Sequence, residues 1–138
     1  MDEFHVVVMN YMDTKRYPDN KPSCFRNTLA LPVELDGNWH AALEELVCIG
    51  KSDPPKNVRM FVCCNLVGDS FVGNTTMPML RSVHYDGNVD TSFIRLVYKP
   101  VLARFVNSIQ VEIREEENGL FPLKDDVSVM VVLHFKRM

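Results

Sequence analysis

The stretch 105–137, FVNSIQVEIREEENGLFPLKDDVSVMVVLHFKR, decides the fold class of this 138-residue chain. Its first run sets Ile109, Val111 and Ile113 on one side and Ser108, Gln110, Glu112 and Arg114 on the other. Its second run sets Val129, Val131, Leu133 and Phe135 on one side, against Ser128, Met130, Val132, His134 and Lys136. Successive strand side chains point to opposite faces, so alternation with a period of two marks a half-buried strand. Between the runs, Glu115 to Asn118 is solvated and Asn118-Gly119 is a turn signal. The reading is two antiparallel strands of an all-β domain.

Working outward, the same pattern recurs. Phe4 to Met12 is β-branched and apolar, a first strand. Asp13 to Ser23 carries Pro18 and Pro22 among polar residues and reads as a long loop. Thr28 to Leu35 alternates, with Leu29, Leu31, Val33 and Leu35 on one side. Pro32 cannot donate a ladder hydrogen bond and places this strand at an edge or a bulge. Asp36-Gly37-Asn38 is a tight turn suited to a hairpin with the next segment. Trp39 to Ile49 is ambiguous: Ala41 to Leu46 are mostly good helix formers, yet Trp39, Ala41, Leu43, Val47 and Ile49 fit a period of two interrupted at Glu45. Propensity favours helix there and the all-β setting favours strand.

Gly50 to Asn57, with Pro54-Pro55, is a loop, and Val58 to Val67 is apolar enough for a buried central strand. Gly68 to Thr76 is a turn-rich connection in which Gly73-Asn74 can take positive φ. Met79 to Tyr85 is a short strand closed by Asp86-Gly87-Asn88, and Ser92 to Leu102 continues the pattern until Pro100. About eight short strands with recurrent turn signals make a β-sandwich or barrel. The long connections favour Greek-key or jelly-roll wiring within one domain, 1–138.

Bulk composition excludes several functions. The length suits one domain with a real core, and 46% hydrophobic residues can fill it. A net charge of −3 argues against binding nucleic acid through a broad basic surface. No apolar run approaches the ~20 residues that span a bilayer, and the acidic start MDEFHVVVMN is not a signal peptide. Cys24, Cys48, Cys63 and Cys64 contain no C-x-x-C. Cys63 and Cys64 would project to opposite faces of a strand, so the expectation is buried free thiols.

No catalytic, cofactor-binding or metal-binding residue emerges. His5, His40, His84 and His134 each stand alone in their runs, without the His-x-His and following Glu of a metal-binding cupin. No nucleophile elbow, P-loop or dinucleotide fingerprint is present. Glu115-Glu116-Glu117 and Asp125-Asp126 read as a solvated loop, and Asn74-Thr75-Thr76 as a chance glycosylation motif. Met77 and Met79 read as core filler.

Three blocks carry a resemblance. The first is Thr28 to Leu46, with its Leu-Pro strand and Leu-Asp-Gly-Asn-Trp turn. The second is Phe61 to Leu66 with Phe71 to Thr75 and Pro78 to Arg81. The third pairs Phe105 to Arg114 with Val129 to Arg137. In this order they resemble the minor capsid (penton) proteins of Polinton (Maverick) elements and adintoviruses, over about Phe4 to Arg137. Members carry a longer segment where Cys48 to Val58 stands here, which suggests a shortened or diverged member.

The resemblance implies a single jelly roll of two packed antiparallel sheets. It also implies a non-enzymatic structural subunit that forms a homopentameric ring at a capsid vertex and contacts the major capsid protein. Such a subunit resides in the virion, is assembled inside the host cell, and needs no cofactor, no direct contact with nucleic acid and no membrane. Long loops such as Asp13 to Ser23 and Gly68 to Thr76 would make the subunit contacts. The competing expectations are a β-sandwich recognition module that binds a protein or glycan through its loops, and a small cupin-like enzyme.

Overall fold

A computed structural model describes residues 1–50, 58–117 and 119–138; the loop expected at Gly50 to Asn57 lies, apart from Gly50, outside them, as does Asn118 of the expected turn. Among the described residues the chain is all-β. Eight longer strands are β1 (Glu3–Met9), β2 (Cys24–Glu34), β3 (Trp39–Ile49), β4 (Val58–Cys64), β7 (Met79–Tyr85), β8 (Val89–Ser92), β10 (Phe105–Arg114) and β11 (Ser128–Arg137). Three short ones are β5 (Ser70–Val72), β6 (Thr75–Met77) and β9 (Lys99–Pro100). One sheet runs β1-β11-β3-β8 with β9 also on β3, the second runs β2-β10-β4-β7, and β5-β6 is a separate hairpin. The pairings are antiparallel. Successive longer strands lie in opposite sheets except β4 and β7, which pair in the second, the wiring expected of a jelly roll.

The two sheets close on one core. The first contributes Val8, Leu43, Leu46, Cys48 and the four inward residues of β11; the second contributes Phe25, Met60, Val62, Cys64, Leu80, Ile109, Val111 and Ile113. Val129, Val131, Leu133 and Phe135 are all buried, as their alternation requires. Each fully buried side chain of this kind stabilises by about 1.5–3 kcal/mol relative to leaving it in water. Phe135 stacks on Phe4 at 4.8 Å between ring centroids, and Phe4 leans on Trp39 at 5.5 Å. The central strand expected from Val58 is β4, which ends at Cys64 and lies inside its sheet.

Trp39 to Ile49 is strand, against its helical propensity, because pairing on both edges and burial of one face outweigh a few tenths of a kcal/mol per residue. Its alternation breaks for a definable reason. Val132 lies opposite Glu45 and Leu133 opposite Leu43, so Glu44 is the extra residue of a β-bulge. Trp39, Ala41 and Leu43 point inward before the bulge, and Leu46 and Cys48 after it. Val47 and Ile49 therefore face outward, contrary to the simple period-two expectation.

Three other expectations are corrected. β10 and β11 are not partners: they lie in different sheets and meet only through the core. The turn at Asp36 to Asn38 closes no hairpin either, since β2 and β3 also belong to different sheets. Gly37 takes φ 96° to make this crossing, and Trp39 Nε1 donates to the Asp36 carbonyl at 3.0 Å. Ser92 to Leu102 is not one strand: β8 ends at Ser92 and the chain leaves the ladder until β9.

Pro32 does sit in an edge strand with a bulge. The β2–β10 register jumps between Val33 and Thr28, and Leu31 is left 76% exposed.

Candidate assembly surfaces

Among the described residues, no group of three or more His, Cys, Asp and Glu side chains is placed to hold a metal ion. The four cysteines are free thiols. Cys64 enters the main core, while Cys63 lies on the opposite side of β4 beneath the β5–β6 hairpin, with Phe61 and Met77. Burial pushes the Cys48 and Cys64 thiols up to about 11 and Cys63 to about 12, so thiolate chemistry at neutral pH is disfavoured. Glu116, Glu117, Asp125 and Asp126 are exposed on a loop, as expected of solvated charge. No helix among the described residues is long and apolar enough to cross a membrane.

The folded chain nevertheless joins residues that stand alone in the sequence. His5 and His134, from opposite ends of the chain, face each other across β1 and β11 and stack at 4.6 Å. His5 Nε2 lies 3.0 Å from Glu44 Oε2, which the bulge delivers, and the Tyr98 hydroxyl lies 2.8 Å from His134 Nδ1. His134 is buried, and its Nε2 stands 3.4 Å from Glu3 Oε2 without hydrogen-bond geometry. This cluster ties β1, β11, β3 and the segment before β9 together on the outer face of the first sheet. Cross-strand register alone reveals it; sequence spacing carries no trace.

The exposed apolar side chains sit chiefly at the sheet edges and loop ends. At the edge formed by β1 and β2, a groove of about 370 Å³ is lined by Val6, Val7, Met9, Met12 and Leu29, with Asp13 in its wall. Asp13 has φ 59°, uncommon for a non-glycine residue, and its Oδ2 accepts a 2.8 Å hydrogen bond from the Thr28 amide. Asn27 fixes the two strands beneath it: its Oδ1 accepts from the Met9 amide at 2.9 Å and its Nδ2 donates to the Met9 carbonyl at 3.0 Å.

At the opposite edge, the strap between β8 and β9 carries Ile94, completely exposed, and Arg95. On the outer face of the second sheet, the β5–β6 hairpin turns at Gly73, with φ 57°, and holds Phe71 out at 89% exposure. The connection 68–76, expected only as turn-rich, thus holds a hairpin, for which Gly73-Asn74 between short β-prone runs is the signal.

No protein-family model matches this sequence, and comparison with curated proteins gives no significant match. Comparison with solved structures does. The chain superposes on the crystal structure of selenomethionine-labelled mavirus penton protein with a TM-score of 0.67, covering 99% of this chain and 100% of that one at 7% sequence identity. At that identity the likeness concerns the fold: this chain shares the jelly roll of a penton protein across its whole length.

Proposed function

We propose that the protein is a capsid-type structural subunit: one jelly-roll domain, 1–138, that forms a closed homopentameric ring at a capsid vertex and contacts the surrounding major capsid protein. The observation that carries this reading is the end-to-end fold match to a penton protein with neither chain left over. The surface accords with it. Exposed apolar side chains stand at both lateral edges of the sandwich, where a heterologous interface that closes by rotation needs two different patches. We assign no catalytic residue, cofactor or nucleic-acid contact, and place the protein in the virion after assembly inside the host cell. Native mass spectrometry of the purified chain tests the ring. A species of about 80 kDa, five times the 15.9 kDa chain, supports it, and a chain that remains monomeric at high concentration contradicts it.

A second reading, a recognition module that binds a protein or glycan, draws on Phe71, an exposed aromatic held on a rigid hairpin. A monomer whose binding to a partner is lost in Phe71→Ala would favour it.

A further inference from the structure

We propose that neighbouring copies of this chain pack head to tail through a knob and a groove: the Ile94–Arg95 strap of one copy enters the β1–β2 edge groove of the next. This rests on the ring reading and names its lateral contact.

Three observations carry it. The first is placement. β1 and β8 are the two ends of the same sheet, so groove and strap lie on opposite flanks. Dissimilar patches on two flanks are what a head-to-tail contact requires, and such a contact closes into a ring when its rotation closes, whereas a two-fold dimer pairs one patch with itself.

The second is complementarity. Ile94 is a completely exposed aliphatic side chain, and the groove offers apolar walls in Val7 and Met12, each about half exposed, together with Val6, Met9 and Leu29. The charges match as well. Arg95 follows the knob, and Asp13 lies in the groove wall, its carboxylate fixed by the Thr28 amide.

The third is preorganisation. The strap leaves its ladder but is pinned along its length. The Phe93 amide donates to the Glu44 carbonyl at 2.8 Å, and Arg81 caps the Phe93 ring at 4.0 Å and donates to the Arg95 carbonyl at 2.8 Å. The Tyr98 hydroxyl lies 2.8 Å from His134 Nδ1. A knob already held in place loses little entropy on docking. The groove is fixed likewise by Asn27.

Two blocking variants and their mixture test the proposal. Ile94→Asp removes the knob and keeps the groove; Val7→Lys fills the groove and keeps the knob. Both sites are exposed, and circular dichroism confirms the fold of each. Each variant alone should be monomeric, with association weakened about a hundredfold. Mixed in equal amounts they should form a dimer of twice the 15.9 kDa chain mass and nothing larger, because one competent interface remains per pair. Asp13→Arg and Arg95→Asp should each weaken the ring about tenfold, and the double variant should recover most of the loss.

Rings that persist in both blocking variants would overturn this contact while leaving the ring reading intact. Dimers of Ile94→Asp or Val7→Lys alone, or no dimer on mixing, would overturn the head-to-tail geometry. A wild-type chain that never associates would overturn both readings.

Discussion

Removing the Phe135 side chain should cost about 3–5 kcal/mol of folding stability, toward the upper end of what large-to-small core substitutions cost. Phe135 is 1% exposed and lies in the final strand, paired on both sides, with Phe4 directly opposite on β1. Its ring stacks on Phe4 at an interplanar angle of 4°. Phe135→Ala thus loses the transfer energy of the ring, leaves a cavity between β-ladders that cannot collapse freely, and removes an aromatic pair contributing about 0.5–1.5 kcal/mol. Small domains hold only about 5–15 kcal/mol in total, so roughly a fifth or more of the stability is at stake. Urea denaturation followed by tryptophan fluorescence is a suitable assay, because the single Trp39 lies 5.5 Å from Phe4 in the same cluster. A double-mutant cycle with Phe4→Ala should give a coupling of about 1 kcal/mol. Phe135→Asp should abolish soluble protein, since it buries an unpaired charge. A Phe135→Ala variant within about 1 kcal/mol of wild type, or a folded Phe135→Asp, would refute the assignment of this face to the core.

Two further perturbations follow from close contacts and buried thiols. A Cβ on Gly50 would meet Val127 Cγ2 at 2.6 Å and the Val127 Cα at 2.9 Å, so Gly50→Ala should cost several kcal/mol. Gly73→Ala, in open space, should cost only the strain of its positive φ, about 1 kcal/mol; equal melting temperatures for the two variants would contradict this. Burial raises Cys48, Cys63 and Cys64 from 9.0 to about 11, 12 and 11, so the folded state keeps its thiol protons where the unfolded state loses them. Their contribution is fully present below pH 9 and is lost as pH rises toward 11–12, by about 1.4 kcal/mol per pH unit and thiol. Denaturation under reducing conditions at pH 8 and pH 10.5 should show the loss, and Cys48→Val should flatten it by about a third; an unchanged midpoint would contradict the burial of these thiols.

Much of the fold was legible because burial imposes alternation. Val129 to Phe135 and Ile109 to Ile113 lie as their pattern dictates, and Cys63 and Cys64 diverge to opposite faces of β4 as adjacent strand residues must. What could not be read is pairing. Alternation says which face a residue takes and nothing about which strand lies beside it, so β10 and β11 looked like partners although they sit in opposing sheets. The same limit hid the bulge at Glu44, which inverts the facing of Val47 and Ile49, and the hairpin inference at Gly37. The surfaces suffered most. The His5–His134 stack depends on register between the two ends of the chain, and the groove on two edges brought together from different sheets. Asp13, from the loop expected at Asp13 to Ser23, lines the groove, and Phe71, from the connection 68–76, stands out, whereas the Ile94 strap lies inside a segment whose pattern reads as strand.

The vertex role is tested most directly by electron cryomicroscopy of particles assembled from this chain together with a major capsid protein. Density for the jelly roll should appear in rings of five on the five-fold axes, with the β1–β2 edge of each copy facing the strap of the next. Particles whose five-fold positions lack this chain, or that carry it as isolated copies elsewhere, would contradict it.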